Sequence, residues 1–251
     1  MRKFFLISGL FFLMTFLNAY ELKTLANAPT GGILQKGEAE VFTKIYRENG
    51  VLCGTKVGLF PRFMFGVSYG AEQVVGNEKP KWHPNIEFSA KFRIIDEGPK
   101  MPAIVLGYDS QGHGVYLKNL ERYDIKSKGF YAVASRNYLF MGNFGLHAGA
   151  NYSMENEDND KDIDFFVGID KTIGNAVTFV ADYDPAFNDN GDKISSTDSF
   201  KVAGKGYLNA AIIVRFTDFL DARFIAYDIL ENSSKTIGMD RSIQINYKMK
   251  F

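Results

Sequence analysis

Cysteine is almost missing from this chain: Cys53 stands alone, which excludes an intramolecular disulfide and a cysteine-rich zinc site as sources of stability. An excess of either charge is missing as well, since 29 basic side chains face 29 acidic ones in 251 residues and the isoelectric point lies near 6.8. That balance gives no broad positive field and no basic stripe breaks it, so a nucleic-acid partner is set aside. Long apolar runs are missing past residue 20. The best is Ala210 to Val214, far below the roughly 20 residues a spanning helix needs, and a helical membrane protein is excluded. A mean hydropathy of −0.14 leaves room for a membrane protein of another kind, because hydrophobicity that alternates along strands averages away.

The first twenty residues differ from the rest. Arg2 and Lys3 precede an apolar run from Phe4 to Leu17, and Asn18-Ala19 offers a small residue for cleavage, so residues 1–19 read as a secretory signal peptide. Ala26-Asn27-Ala28 is a later cleavage alternative. Residues 20–37 are then expected as a periplasmic N-terminal segment.

What the remainder has in abundance is a period of two. Ile243, Ile245, Tyr247, Met249 and Phe251 alternate with Ser242, Gln244, Asn246, Lys248 and Lys250, and similar alternation runs through 86–94 and 163–169. A helix would smear both sets around its surface, so these segments are two-faced strands. About twelve such segments are expected, near 38–47, 51–59, 62–70, 84–95, 102–109, 128–137, 143–152, 162–171, 175–183, 206–216, 220–229 and 241–251. The links between them alternate between compact turns and long polar loops, apart from the short Glu48-Asn49-Gly50 hairpin. Residues 38–251 are therefore expected to form an all-β fold, a single antiparallel transmembrane β-barrel of the cell outer membrane. Short turns face the periplasm and longer loops the exterior. Whether the long loop 110–127 stands outside or folds inward is left open.

With apolar faces toward lipid, Phe63, Phe65, Val67, Ile104, Leu106, Leu146, Phe179 and Ile212 meet acyl chains, and Tyr69, Tyr108, Tyr152 and Tyr183 form an outer aromatic girdle. The opposite faces put Glu40, Lys44, Glu87, Lys91, Arg93, His147, Asp164, Asp182, Arg215 and Arg223 in the lumen, with Asp162, Asp221 and Lys248 among their neighbours. The strand at 128–137 is ambiguous, because Arg136 shares a face with Phe130, Ala132 and Ala134. Tyr247 and the terminal Phe251 fit a C-terminal signal read by the barrel insertion machinery, which joins outer-membrane lipid as an expected partner.

Chemistry is sparse. The three histidines are His83, His113 and His147, and neither a G-x-S-x-G elbow nor an H-E-x-x-H pair is present. His147 has Gly149 where a lipid hydrolase would carry serine on the same face, so it reads as a lumen residue. Asp158, Asp160, Asp162 and Asp164 repeat every second residue but lack the glycine and glutamate of a calcium loop, and read as a solvated acidic loop. No catalytic residue, metal or cofactor is expected.

The segment 29–136 resembles part of the YjbH-like family of outer-membrane proteins. The resemblance rests on Pro29-Thr30-Gly31-Gly32, on Lys91, Arg93 and Glu97, on 102–109, on Gly112-His113-Gly114 and on Ala132 to Arg136. It implies a non-enzymatic barrel linked to exopolysaccharide export or envelope organisation, with polysaccharide or export components as partners. A passive channel for small polar solutes and an outer-membrane lipid or glycan hydrolase using His147 are the alternatives.

Overall fold

The computed structural model describes residues 21–174, 176–190 and 201–251. The signal peptide expected at 1–19 lies outside the described residues. Within them the strands are β1 (Glu38–Tyr46), β2 (Gly50–Phe60), β3 (Phe63–Glu72), β4 (Lys81–Trp82), β5 (Glu87–Ile95), β6 (Ala103–Asp109), β7 (His113–Leu117), β8 (Arg122–Ile125), β9 (Gly129–Leu139), β10 (Asn143–Tyr152), β11 (Asp164–Ile173), β12 (Val177–Asp184), β13 (Tyr207–Arg215), β14 (Leu220–Tyr227) and β15 (Asp240–Lys250). All but β4, β7 and β8 pair in the order β2-β1-β15-β14-β13-β12-β11-β10-β9-β6-β5-β3, and β3 returns to β2, which closes an antiparallel barrel of twelve strands. Closure satisfies every wall strand's neighbours, so the sheet leaves no edge to be solvated within hydrocarbon.

Closure places each period-two face as expected. Val41, Ile45, Phe88, Phe92, Leu106, Phe165, Val167, Phe224, Ile243 and Ile245 stand open on the outer surface, a band that water would not tolerate and acyl chains accept. No described helix is long and apolar enough to cross a membrane; the strands do the crossing. The molecule is an outer-membrane β-barrel. Tyr69 stacks on Trp82 at 5.5 Å between ring centroids, which places the single tryptophan in the outer girdle. The ambiguous strand resolves as β9 with Tyr131, Val133 and Ser135 inward, so Arg136 lies on the outer face near the periplasmic rim, where it donates to Pro99 O at 2.6 Å.

One segment departs from expectation, and the question left open for 110–127 is answered. Residues 21–36, expected in the periplasm, enter the lumen from the short-turn rim and fold back on themselves. A bridge between Thr24 and Pro29 marks the return, and Leu22, Lys23, Leu25, Ala26, Ala28, Thr30, Ile33 and Leu34 are buried. The loop 110–127 folds inward, as β7 and β8 pair into a hairpin within the long-loop mouth, with His113, Arg122, Tyr123, Asp124 and Ile125 all buried. The barrel's apolar core consequently lies inside it. Leu22, Leu25, Ala26 and Ala28 pack with the inward Val105, Tyr131, Val133, Phe166, Val180, Ala211, Ile213 and Ile225 and with Ile125 of the hairpin. Each large side chain buried there is worth about 1.5–3 kcal/mol.

Candidate functional site

The site is the lumen, and its wall is sorted by charge. The structure places all ten expected lumen residues on inward strand positions: Glu40 and Lys44 on β1, Glu87, Lys91 and Arg93 on β5, His147 on β10, Asp164 on β11, Asp182 on β12, Arg215 on β13 and Arg223 on β14. All are buried except Arg215, which is half-buried. The β11–β12 wall carries Asp164, Asp170, Asp182 and Asp184 inward and, among the described residues, no inward cation. Across the barrel, β2 and β5 carry Lys56, Lys91 and Arg93 against the single carboxylate Glu87. Asp162, expected beside them, is exposed in the loop before β11 instead, because that strand starts two residues later than anticipated.

The N-terminal plug lies across this field and is held by its backbone. The acidic wall accepts from it: Ala26 and Asn27 donate their N–H groups to Asp182 Oδ2, both at 2.9 Å. On the basic side, Lys91 Nζ donates to the carbonyls of Lys23, Thr30 (3.0 Å) and Gly32 (3.4 Å), and Arg93 donates to Gly31 O from Nε (3.1 Å) and Nη2 (2.8 Å). Lys23 pairs with Glu40 at 2.6 Å. Charged donors and acceptors make stronger bonds than neutral ones, and the wall cations need partners as much as the plug does. The glycines of Pro29-Thr30-Gly31-Gly32 permit the approach. A Cβ on Gly32 would sit 2.0 Å from Leu22 O, and one on Gly31 2.9 Å from the Ser135 Cβ.

Gly31 also docks on a constellation that sequence spacing concealed. Its N–H donates to Ser135 Oγ at 2.6 Å; Ser135 Oγ lies 2.7 Å from His147 Nδ1, and His147 Nε2 lies 2.9 Å from Asp170 Oδ1. The serine sits on the neighbouring strand, where His147 and Ser135 are register partners, and not two residues along β10. Cross-strand register was the signal needed, and it appears only once the strands are paired. All three side chains are buried and the hydroxyl is engaged by the plug, so the arrangement clamps Gly31.

The exterior mouth is closed by a second set of ion pairs. Arg122 of the hairpin, fully buried, donates to Asp158 at 2.7 Å and to both carboxylate oxygens of Asp189 at 2.8 and 2.9 Å. Lys126 pairs with Asp158 at 2.7 Å, Lys128 with Asp184, and Arg47 with Asp124. Asp158 and Asp160 are thus buried, not solvated as the repeat suggested: Arg122 and Lys126 pair with Asp158, Lys126 also donates to the Asp160 carbonyl at 3.2 Å, and Asp160 Oδ2 accepts the Asn190 N–H at 3.3 Å. His113 donates to Asp240 at 2.9 Å and stacks on Tyr227; burial dominates and pushes its pKa down from 6.5 to about 4. Burial likewise pushes the Glu155 carboxyl up to about 8, although it accepts the N–H groups of Tyr123 and Ser127. Among the described residues no cluster could hold a metal ion.

Between plug and hairpin a chamber of about 30 Å³ remains, enough for a water molecule and too small for a solute. Its lining includes Lys56, Lys91, Lys126 and Lys128 against the single carboxylate Asp109. The Asn27 Nδ2 amide is buried without a partner in the same lining.

No family model matches the chain, and no curated protein does. Among solved structures it is similar to a KdgM porin at 10% identity, over 85% of this chain and 99% of that one, with a TM-score of 0.46. It is similar to a NanC porin at 10% identity, over 85% and 100%, with a TM-score of 0.45. The translocator domain of autotransporter NalP from Neisseria meningitidis follows at 10% identity, over 85% and 86%, with a TM-score of 0.40.

Proposed function

We propose that this barrel is a non-enzymatic, gated channel for small anionic solutes, here in its closed form. The observation that carries the reading is the construction of the plug. It is fastened mainly by hydrogen bonds from wall charges to its own backbone, so withdrawing it takes from Lys91 its carbonyl partners and from Arg93 those of Gly31 and the carboxylate of Glu21, beside Lys56 in a lumen already shaped as a conduit. Such cations would exchange plug carbonyls for the oxygens of a passing anion at little net cost. The Ser135–His147–Asp170 clamp supports a structural role for His147, since Ser135 Oγ already accepts the Gly31 N–H and the plug covers the position a substrate would take.

Planar-bilayer recording tests this. Full-length protein is expected to conduct little, and a form lacking residues 21–36 to conduct with anion preference. Reversing charge with Lys56→Glu and Lys91→Glu in that form should shift the reversal potential toward cations. A plug-free barrel that stays silent, or that prefers cations before any reversal, would overturn the reading.

A second reading is an exopolysaccharide-export or envelope-organising barrel of the YjbH-like kind. It is favoured by one convergence: Gly31, Lys91, Arg93 and Ser135, which carry parts of that resemblance far apart in sequence, meet around the plug. Unchanged surface polymer in a strain producing only the plug-free form would count against it.

A further inference from the structure

Four inward positions in register build one wall of the chamber between plug and hairpin. Lys56 on β2 pairs with Gly66 on β3, Gly66 with Ser89 on β5, and Ser89 with Asp109 on β6. Gly66 has no side chain to fill the row, and its neighbours lean over the gap: a Cβ there would sit 2.6 Å from Ser89 Oγ and 2.9 Å from Lys56 Cγ. Lys56, Ser89 and Asp109 line the chamber, and Asn27 lines it from the plug.

Most polar groups around this space are already engaged. Lys126 donates to Asp158 and to the carbonyls of Asp160 and Asn188, Lys128 pairs with Asp184, and Lys91 holds three plug carbonyls. Three donors are not engaged. Lys56 has no ion pair and no hydrogen bond among the described residues, its Nζ lying 5.2 Å from the centre of the Phe42 ring. The Ser89 hydroxyl has no hydrogen bond among them either, and the Asn27 Nδ2 amide is buried without a partner. Glu40, the register partner of Lys56 on β1, is occupied by Lys23 at 2.6 Å. Three donors without acceptors around one void call for an acceptor to fill it.

Charge decides which acceptor. Lys126 and Lys128 are matched by carboxylates, but Lys91 has only neutral partners and Lys56 has none. Those two cations line the chamber against Asp109 alone, whose Oδ1 accepts the Gln111 N–H at 3.0 Å. Asp109 stands three strand spacings from Lys56, roughly 14 Å along the wall between Cα atoms. A water molecule would complete the hydrogen bonds and leave one positive charge in excess; a monovalent anion completes the bonds and cancels the charge. The volume of about 30 Å³ excludes a polyatomic anion and admits a halide, which is little larger than water. We propose that the chamber is a binding site for a monatomic anion such as chloride, held by Lys56 and Ser89 of the wall and by Asn27 of the plug, so that the ion ties plug to wall. The site goes beyond the channel reading and stands whether or not the plug-free barrel conducts.

Equilibrium dialysis of the full-length protein in detergent against radioactive chloride tests this, with sodium gluconate holding the ionic strength constant. One retained chloride per barrel is expected, displaced by bromide and not by sulfate. Lys56→Met should weaken retention about tenfold and Asn27→Leu about fivefold. Lys118→Met, which removes an exposed cation at the hairpin tip, should leave it unchanged. Each variant is first shown to be folded by its heat-dependent gel mobility. Absence of saturable chloride in the wild type would assign the chamber to water and overturn the proposal. Retention undiminished by Lys56→Met, or lowered equally by Lys118→Met, would place the ion on the surface and overturn it as well. Retention with the expected losses, beside a plug-free barrel that stays silent in the bilayer, would uphold the site and end only the channel reading.

Discussion

At the scale of single residues, the lumen is where substitution should hurt most. Arg122 illustrates why, because its guanidinium is fully buried and holds both carboxylate oxygens of Asp189 while sharing Asp158 with Lys126. Arg122→Ala leaves those carboxylates in a cavity without their main partner, and removing one member of a buried ion pair costs about 3–5 kcal/mol. The cost falls on the mouth and not on the barrel, because the twelve-strand hydrogen-bond network does not pass through Arg122. Limited proteolysis of the folded protein should therefore show new cleavage within 112–126 while the barrel core persists; a resistant hairpin would refute the assigned role. The inward direction of residues such as Lys91 and Asp182 was legible from the period of two. The clamp of Ser135, His147 and Asp170 was not, because it depends on which strands are neighbours and in what register.

At the scale of elements, the hairpin carries opposing proton switches. His113 has a folded pKa of about 4 against 6.5, so the stability it lends to the docked hairpin is complete above pH 6.5 and is lost as pH falls through 4. Glu155 has a folded pKa of about 8 against 4.5, so its contribution is complete below pH 4.5 and is lost as pH rises through 8. Between pH 4.5 and 6.5 the two slopes oppose each other, with Asp240, Arg47, Lys44 and Tyr46 around His113. Removing one switch should expose the other. In Glu155→Gln, a spin label on Lys118→Cys at the exposed hairpin tip, with Cys53→Ser, is expected to gain mobility as pH falls from 6.5 to 4. In the wild-type background the response should be flatter. An acid-insensitive label in the Gln variant would refute the His113 switch. The wall strands were legible because each is two-faced, whereas the inward plug and hairpin were hidden by long-range partners. One trace of them was present: 102–109 and 206–216 are apolar on both faces, through Val105, Ala211 and Ile213, and a water-filled lumen has no use for that. Doubly apolar strands in an otherwise alternating barrel mark where an internal element docks.

At the scale of the whole molecule, the same side chain has opposite value on the two sides of one wall. Arg223 points inward, where it donates to Asp221 at 3.3 Å and reaches Thr24 of the plug. Its neighbour Phe224 points outward near the middle of β14, flanked across the register by Ile212 and Ile243. A cation at position 224 would face acyl chains without a partner, which at the bilayer midplane costs about 2–4 kcal/mol. Phe224→Lys should therefore lower unfolding stability in lipid vesicles by that amount, measured by guanidinium titration. Phe216→Lys, exposed just past the end of β13 at the short-turn rim, should cost far less, since charge near the interface is nearly free. Equal losses at the two positions would mean that the band does not sit in hydrocarbon as the fold requires. Because the plug and hairpin fill the lumen in both variants, a difference between them reports on the membrane alone and isolates the outward face from the filled interior.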